Sequence, residues 1–168
     1  WEWAEAMRGY THPMWFAAIF WILKALHADF PAAVVWVPRL VQAGMLVFQD
    51  VAVYFTARRL YGASTAWWAL ACHLSSWFVF YCGVRTFSNT MEAVLVSAAL
   101  LFWVSKPSSR REWMALLLSG AAVAVRPTSA VLWLFVAATY IFSSLKSLSA
   151  RIAFVSRCVG AGVLWLAV

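Results

Sequence analysis

Acidic side chains are scarce in this sequence. Asp and Glu number six against thirteen Lys and Arg in 168 residues, and no two acids stand where an acid–base couple could work. Glu2, Glu5 and Glu92 are the acids expected on the functional face. The three cysteines, Cys72, Cys82 and Cys158, lie in or beside apolar runs without disulfide or metal-ligand spacing, and read as small buried apolar residues. No His/Asp cluster offers a metal site. A Gly-rich phosphate loop, an HExxH helix, a nucleophile elbow, a glycosylation sequon and an internal repeat are also missing. Charged residues make up only 11% of the chain, whereas a soluble domain carries about a quarter. A soluble fold is excluded.

What is abundant is apolar. Hydrophobic residues reach 65%, with twelve Trp and twelve Phe, ring systems that settle at lipid–water boundaries. The net charge of +7 comes from basic residues standing singly or in pairs between apolar runs. That is the positive-inside pattern of a multispanning protein, so membrane lipids are expected partners and nucleic acid is not. The chain opens at Trp1 without a Met or a leader and stops at Val168 inside an apolar run, which reads as a piece of a longer protein.

Residues 1–12 are amphipathic and belong outside the bilayer core; residues 13–168 are expected to form a transmembrane helical domain. The run 13–26 is closed by His27, Asp29 and Pro31. As a helix it reaches about 21 Å, short of the ~30 Å hydrocarbon core, so a re-entrant or interfacial helix is expected there. Spans are expected over residues 34–57, 63–84, 87–104, 113–125, 128–145 and 152–168, with 113–125 another short one. The span 34–57 ends at the basic stop Arg58-Arg59-Leu60-Tyr61-Gly62, with a glycine terminator. Arg58/Arg59, Lys106/Arg110/Arg111 and Lys146/Arg151 fall at every second connection, which places those connections in the cytosol. The alternate connections hold only Arg85 and Arg126 and are expected on the other face, together with residues near Val34.

Between two of the most apolar runs lies the polar island Arg85-Thr86-Phe87-Ser88-Asn89-Thr90-Met91-Glu92. Asn89 and Glu92 have the spacing of a helix N-cap with its reciprocal partner; polar groups at a membrane boundary also invite a functional explanation. Both readings stand at this point. Arg85 precedes one helix start and Arg126 another, with Pro127 where a first helical position would be. Arginine beside a helix N-terminus makes an anion site at headgroup depth, and a lipid-linked phosphate is the expected anion; the alternative is that both arginines snorkel to the interface.

Asp50, with Gln49 beside it and Tyr54 one turn on, is the one carboxylate well inside a span and is expected to bond helices together. His73, near Ser75 and Ser76, reads as a packing histidine, while His12 is placed to touch a substrate. Ser119, Gly120, Ala121 and Ala122 form a small-residue patch for close helix packing.

Taken in order, Trp1-Glu2-Trp3, Arg8-Gly9-Tyr10-Thr11-His12-Pro13, Pro38-Arg39-Leu40-Val41-Gln42, Asp50-Val51 through Gly62, the polar island and Arg126-Pro127-Thr128-Ser129 resemble glycosyltransferase family 22. Its members are mannosyltransferases that depend on dolichyl phosphate mannose, and the branch adding the third mannose of the GPI anchor is the most similar. The resemblance implies an all-α GT-C fold in the endoplasmic reticulum membrane, multi-pass, with its active site facing the lumen. It implies inverting transfer to a mannose hydroxyl of a glycolipid acceptor, forming an α-1,2 link, with a lipid-linked donor and no cofactor. The family's catalytic acid belongs to a His-Pro-Asp-Glu-type motif upstream of Trp1, so no catalytic base is assigned here, and residues 1–12 become the end of the first luminal loop. Arg85, Asn89, Glu92, Arg126 and His12 are the expected substrate-binding residues. Competing readings are a sister mannosyltransferase acting on the N-glycan precursor or on a further GPI mannose, a membrane transporter, and a non-catalytic subunit.

Overall fold

The computed structural model describes residues 10–105, 108–143 and 147–166. Residues 1–9 of the expected luminal loop, with Glu2, Glu5 and Arg8, and the basic residues Lys106 and Lys146 lie outside them. Every described element is a helix: α1 (Thr11–Ala25), α2 (Pro31–Tyr61), α3 (Ala63–Leu74), α4 (Trp77–Cys82), α5 (Ser88–Trp103), α6 (Ser109–Val125), α7 (Ser129–Ser143) and α8 (Leu148–Leu166). Two of them, Pro31–Tyr61 and Leu148–Trp165, are long and apolar enough to cross a membrane; Ser88–Trp103 and Ser129–Phe142 are shorter apolar helices.

The short first helix begins at Thr11, so the expected boundary between loop and helical domain falls inside it. It buries only Phe16 and Leu23 and leaves Met14, Trp15, Phe20 and Trp21 exposed. Its end is a Schellman turn: His27, at φ 52°, donates its N–H to Lys24 O, and Ala28 donates to Leu23 O. The long α2 starts with Pro31 at a first-turn position, where a missing N–H costs nothing. It stops where Gly62 turns at φ 92°, as the sequence led one to expect.

The expected span over residues 63–84 is not one helix. α3 ends at Leu74, Ser75 and Ser76 form a break, and α4 resumes at Trp77. Serine hydroxyls compete with the helix ladder, and here Ser76 N–H turns back to His73 O in a tightened last turn. A broken helix is tolerated at membrane depth where other protein covers it.

In the bundle α5 lies between α2 and α6, with α3 on α2 and α7 and α8 on α6. Side-chain links fix the directions. Arg59, in the last turn of α2, donates to Leu101 O (2.8 Å) and to the Ser105 hydroxyl, so α2 and α5 end together. The guanidinium thereby satisfies an orphan carbonyl of α5's last turn. α6 returns antiparallel to α5, against which it makes the most extensive packing, over residues as small as Ala98, Ala99, Ala115 and Ala122. Close backbone approach needs such residues, as expected of the 119–122 patch. α8 then runs parallel to α6: Arg157 pairs with Glu112 at 2.7 Å, and Trp165 Nε1–H donates to Leu117 O. A Cβ at Gly120 would strike the Trp165 ring, so the glycine there admits the indole.

Candidate functional site

The polar residues gather where α5 begins and α6 ends. They form two groups. The first is a clip: Glu92, one turn into α5, accepts from Arg126 Nη1 at 2.8 Å and from the hydroxyl of buried Ser129. Arg126 is the residue that ends α6, and Ser129 opens α7 after the Pro127–Thr128 turn. One carboxylate thus ties three helix ends together. The expectation that the polar island and the Arg126 turn share one face of the bundle is met by this pair.

The expected helix cap is not formed. α5 starts at Ser88 with Phe87 in the capping position, and no side chain caps it. Asn89 falls instead in the first turn, exposed. Glu92 prefers a charged donor across the helix ends over the N–H of its own turn, because a charge-assisted bond is roughly twice as strong as a neutral one. Pro127 likewise lies in the turn before α7, two residues ahead of the first helical residue.

The second group is a cavity of about 600 Å³ lined by Arg39, Phe80, Tyr81, Val84, Arg85, Thr86 and Phe87. Its geometry starts in α4. Trp77 and Tyr81, one turn apart, stack with centroids 4.8 Å apart and planes at 12°. The Arg85 guanidinium lies over Tyr81, 4.2 Å from its centroid, and extends the column. A turn in which Arg85 N–H donates to Cys82 O and Phe87 N–H to Arg85 O holds it there. Buried Gly83 brings this turn against α2, because a Cβ at that position would collide with the Leu46 side chain. Across the cavity Arg39 sits 5.6 Å from the Trp36 ring of its own helix. Among the described residues no carboxylate pairs with Arg39 or Arg85. Arg85 thus lies close over a ring and Arg39 more loosely beside one, and guanidinium N–H groups suit phosphate oxygens.

His12 is in the first turn of α1, its ring edge-on to Phe16 at 5.1 Å. Its Nε2 is buried without a hydrogen-bond partner, and burial lowers its pKa below 6.5. No hydrogen bond or ion pair joins it to Arg85, Glu92 or Arg126 among the described residues. Of the five expected site residues, then, Glu92 and Arg126 meet each other, Arg85 enters the cavity, and Asn89 and His12 join neither group. Arg39 and Ser129 were not singled out, although each stands in a segment that carries the family resemblance. The signal for Arg39 was its place as a lone charge interrupting an apolar run.

Deeper in the bundle, His73 Nε2 lies 3.2 Å from Asp50 Oδ1, linking α3 to α2. The two residues read separately in the sequence form one pair.

The profile of the Alg9-like mannosyltransferase family matches residues 1–168, the whole chain. The chain belongs to that family. The expectation drawn from the six segments therefore holds. Mannosyltransferase APTG1 of Arabidopsis thaliana is 38% identical over 148 residues, covering 84% of this chain and 27% of that protein. GPI alpha-1,2-mannosyltransferase 3 of Xenopus laevis is 41% identical over 135 residues, covering 80% and 25%. The Homo sapiens protein of the same name is 39% identical over 136 residues, covering 79% and 24%. The chain spans about a quarter of the length of these relatives. No solved structure matches it significantly.

Proposed function

We propose that the full-length protein transfers mannose from dolichyl phosphate mannose to a mannose of a GPI-anchor precursor. The product is the α-1,2-linked third mannose, made on the luminal side of the endoplasmic reticulum by a multi-pass GT-C enzyme without metal or soluble cofactor. The observation that carries this reading is the similarity, 41% and 39% identical, to relatives named GPI alpha-1,2-mannosyltransferase 3. The geometry agrees with the chemistry. Attack of an acceptor hydroxyl on the mannose C1 breaks the C1–O bond and inverts that carbon. The hydroxyl proton goes to a base outside the described residues. The lipid phosphate leaves with one more negative charge than it had in the donor, and cationic groups held at that place lower the barrier.

Within this reading Arg85 meets the donor phosphate. Arg126 does not compete for it, because Glu92 already neutralises its charge. The Glu92 clip holds the rim of the site and Asn89 stands exposed beside it, while His12 lies on α1 against Phe16. The test is to express the full-length gene in cells whose GPI precursors stop at two mannoses. Microsomes are then supplied with labelled dolichyl phosphate mannose. A precursor extended by one α-1,2-mannose is expected. Label appearing only in the N-glycan precursor would assign the protein to the sister activity, and no transfer to either lipid would refute the enzyme reading.

A further inference from the structure

The end of the bundle opposite the Glu92 clip collects arginines. Arg58 and Arg59 stand in the last turn of α2, Arg110 and Arg111 in the first turn of α6, and Arg151 in the first turn of α8. The first four are exposed. Glu112 is the one acid in these turns, and Arg157 already holds it at 2.7 Å. Arg59 donates to Leu101 O and to the Ser105 hydroxyl, both neutral, so its charge is not cancelled. Arg58 and Arg110 make no hydrogen bond or ion pair among the described residues.

Helix electrostatics accounts for only part of this. Cations suit the C-terminal end of α2, but the first turns of α6 and α8 carry the positive ends of their dipoles. Arginines there raise the energy of the fold unless an anion lies close by. The level of this end is marked by rings. Tyr61, Trp67 and Trp68 are exposed, and the Trp67 ring lies 5.0 Å from that of Tyr54, one turn before Arg58 on α2. Exposed indole and phenol rings settle at the lipid–water boundary, which puts the arginines beside them at headgroup depth. An acidic peptide would meet the charges alone. A phospholipid surface matches both features, anionic at the arginines and apolar beneath the rings.

We propose that this end of the bundle is a docking surface for anionic phospholipid headgroups, with Arg58 and Arg110 as its free charges. It gathers acidic lipids from the surrounding bilayer and so relieves the charge at the start of α6. The proposal rests on the placement of arginines and rings and not on the transfer reaction. On the positive-inside expectation the leaflet concerned is the cytosolic one, whose lipids carry negative charge. One arginine near such a surface is worth about fivefold in association, and the attraction fades within a Debye length.

The experiment reconstitutes the full-length protein in phosphatidylcholine vesicles containing trace spin-labelled phosphatidylserine or phosphatidylcholine. Electron paramagnetic resonance reads the fraction of each label slowed at the protein surface. Both leaflets carry label, so the result does not depend on orientation. Wild type is expected to hold the phosphatidylserine label about fivefold more strongly than the phosphatidylcholine label. The double variant Arg58→Gln/Arg110→Gln should fall to about twofold or less, whereas Arg58→Lys/Arg110→Lys keeps the preference, because charge and not the guanidinium fork carries it. About 1 M NaCl, which screens charges beyond ~3 Å, should bring wild type down to the level of the glutamine variant. Equal association of the two labels with wild type would overturn the proposal and leave these arginines as determinants of membrane insertion only. Full preference retained in the glutamine variant, or lost equally in the lysine variant, would overturn it as well.

Discussion

Glu92 has two possible uses, as a group that acts on substrate or as the fastener of three helix ends, and the two predict opposite mutant behaviour. Its side chain is 18% exposed and that of Arg126 36%, between a surface pair and a buried one. Surface pairs contribute about 0.2–1 kcal/mol, and removing one partner of a buried pair costs about 3–5 kcal/mol. The intermediate burial puts each single change, Glu92→Gln or Arg126→Gln, at roughly 2 kcal/mol, because the stranded partner recovers part of its hydration. Ser129 adds to the Glu92 side only, so Glu92→Gln should cost slightly more. The double variant should cost little more than either single one, giving a coupling energy of about 1–1.5 kcal/mol. Reversible unfolding of the full-length protein by SDS in mixed micelles reads these differences, with mannosyl transfer measured on the same samples. The fastener account expects transfer to fall in step with stability in all three variants. Independent, additive losses, or an inactive Glu92→Gln protein with wild-type stability while Arg126→Gln stays active, would refute it and make Glu92 a substrate-binding group.

Three further changes test other parts of the structure. Gly83→Val should destabilise by roughly 1–3 kcal/mol in the SDS titration, because a Cβ there meets Val79 O as well as the Leu46 side chain, while the isosteric Leu46→Met is tolerated. Asp50→Leu or His73→Leu alone should destabilise by roughly 1–2 kcal/mol by leaving a buried polar group without its neighbour, whereas the double change should sit closer to wild type in the same SDS titration. His12 carries the one pH prediction. Its folded pKa is lowered by burial, so the unfolded chain takes up the proton first and stability falls as pH drops below about 6.5. His12→Phe keeps the ring contact with Phe16 and should remove that acid-sensitive slope; an unchanged slope between pH 6.5 and 5 would exclude His12 as its source.

Helix content, the stop of α2 at Gly62 and the family were legible before the fold, whereas Pro31 was read as closing the first run and proved to open α2, three residues before the expected Val34. Pro31 and Gly62 act through backbone geometry that any chain obeys locally, and long apolar runs need no partner to declare themselves. The segments around Arg39, Arg85 and Arg126 carried the family because each is a polar exception inside an apolar stretch. Local reading failed where a long-range partner outbid a short-range one. Asn89 and Glu92 have capping spacing, but Arg126, distant in sequence, offers Glu92 a charged donor that the α5 backbone cannot match. The run 63–84 has enough apolar residues for a span, yet the two serines after His73 break it, and His73 itself is held to Asp50 on α2.

By itself the sequence determined that this is an all-helical membrane chain of the Alg9-like mannosyltransferase family and that its polar exceptions cluster at helix ends. Those properties follow from composition, periodicity and local backbone preference. Which arginine is neutralised and which is free was decided only by tertiary structure. Arg85 and Arg126 look alike in the sequence, each a lone cation ahead of a helix. Packing of α5 against α6 gives Arg126 the Glu92 carboxylate, and the approach of Gly83 to Leu46 gives Arg85 a second arginine across a cavity. Charge acts over a few ångströms, so its meaning is set by whichever groups folding brings within that distance.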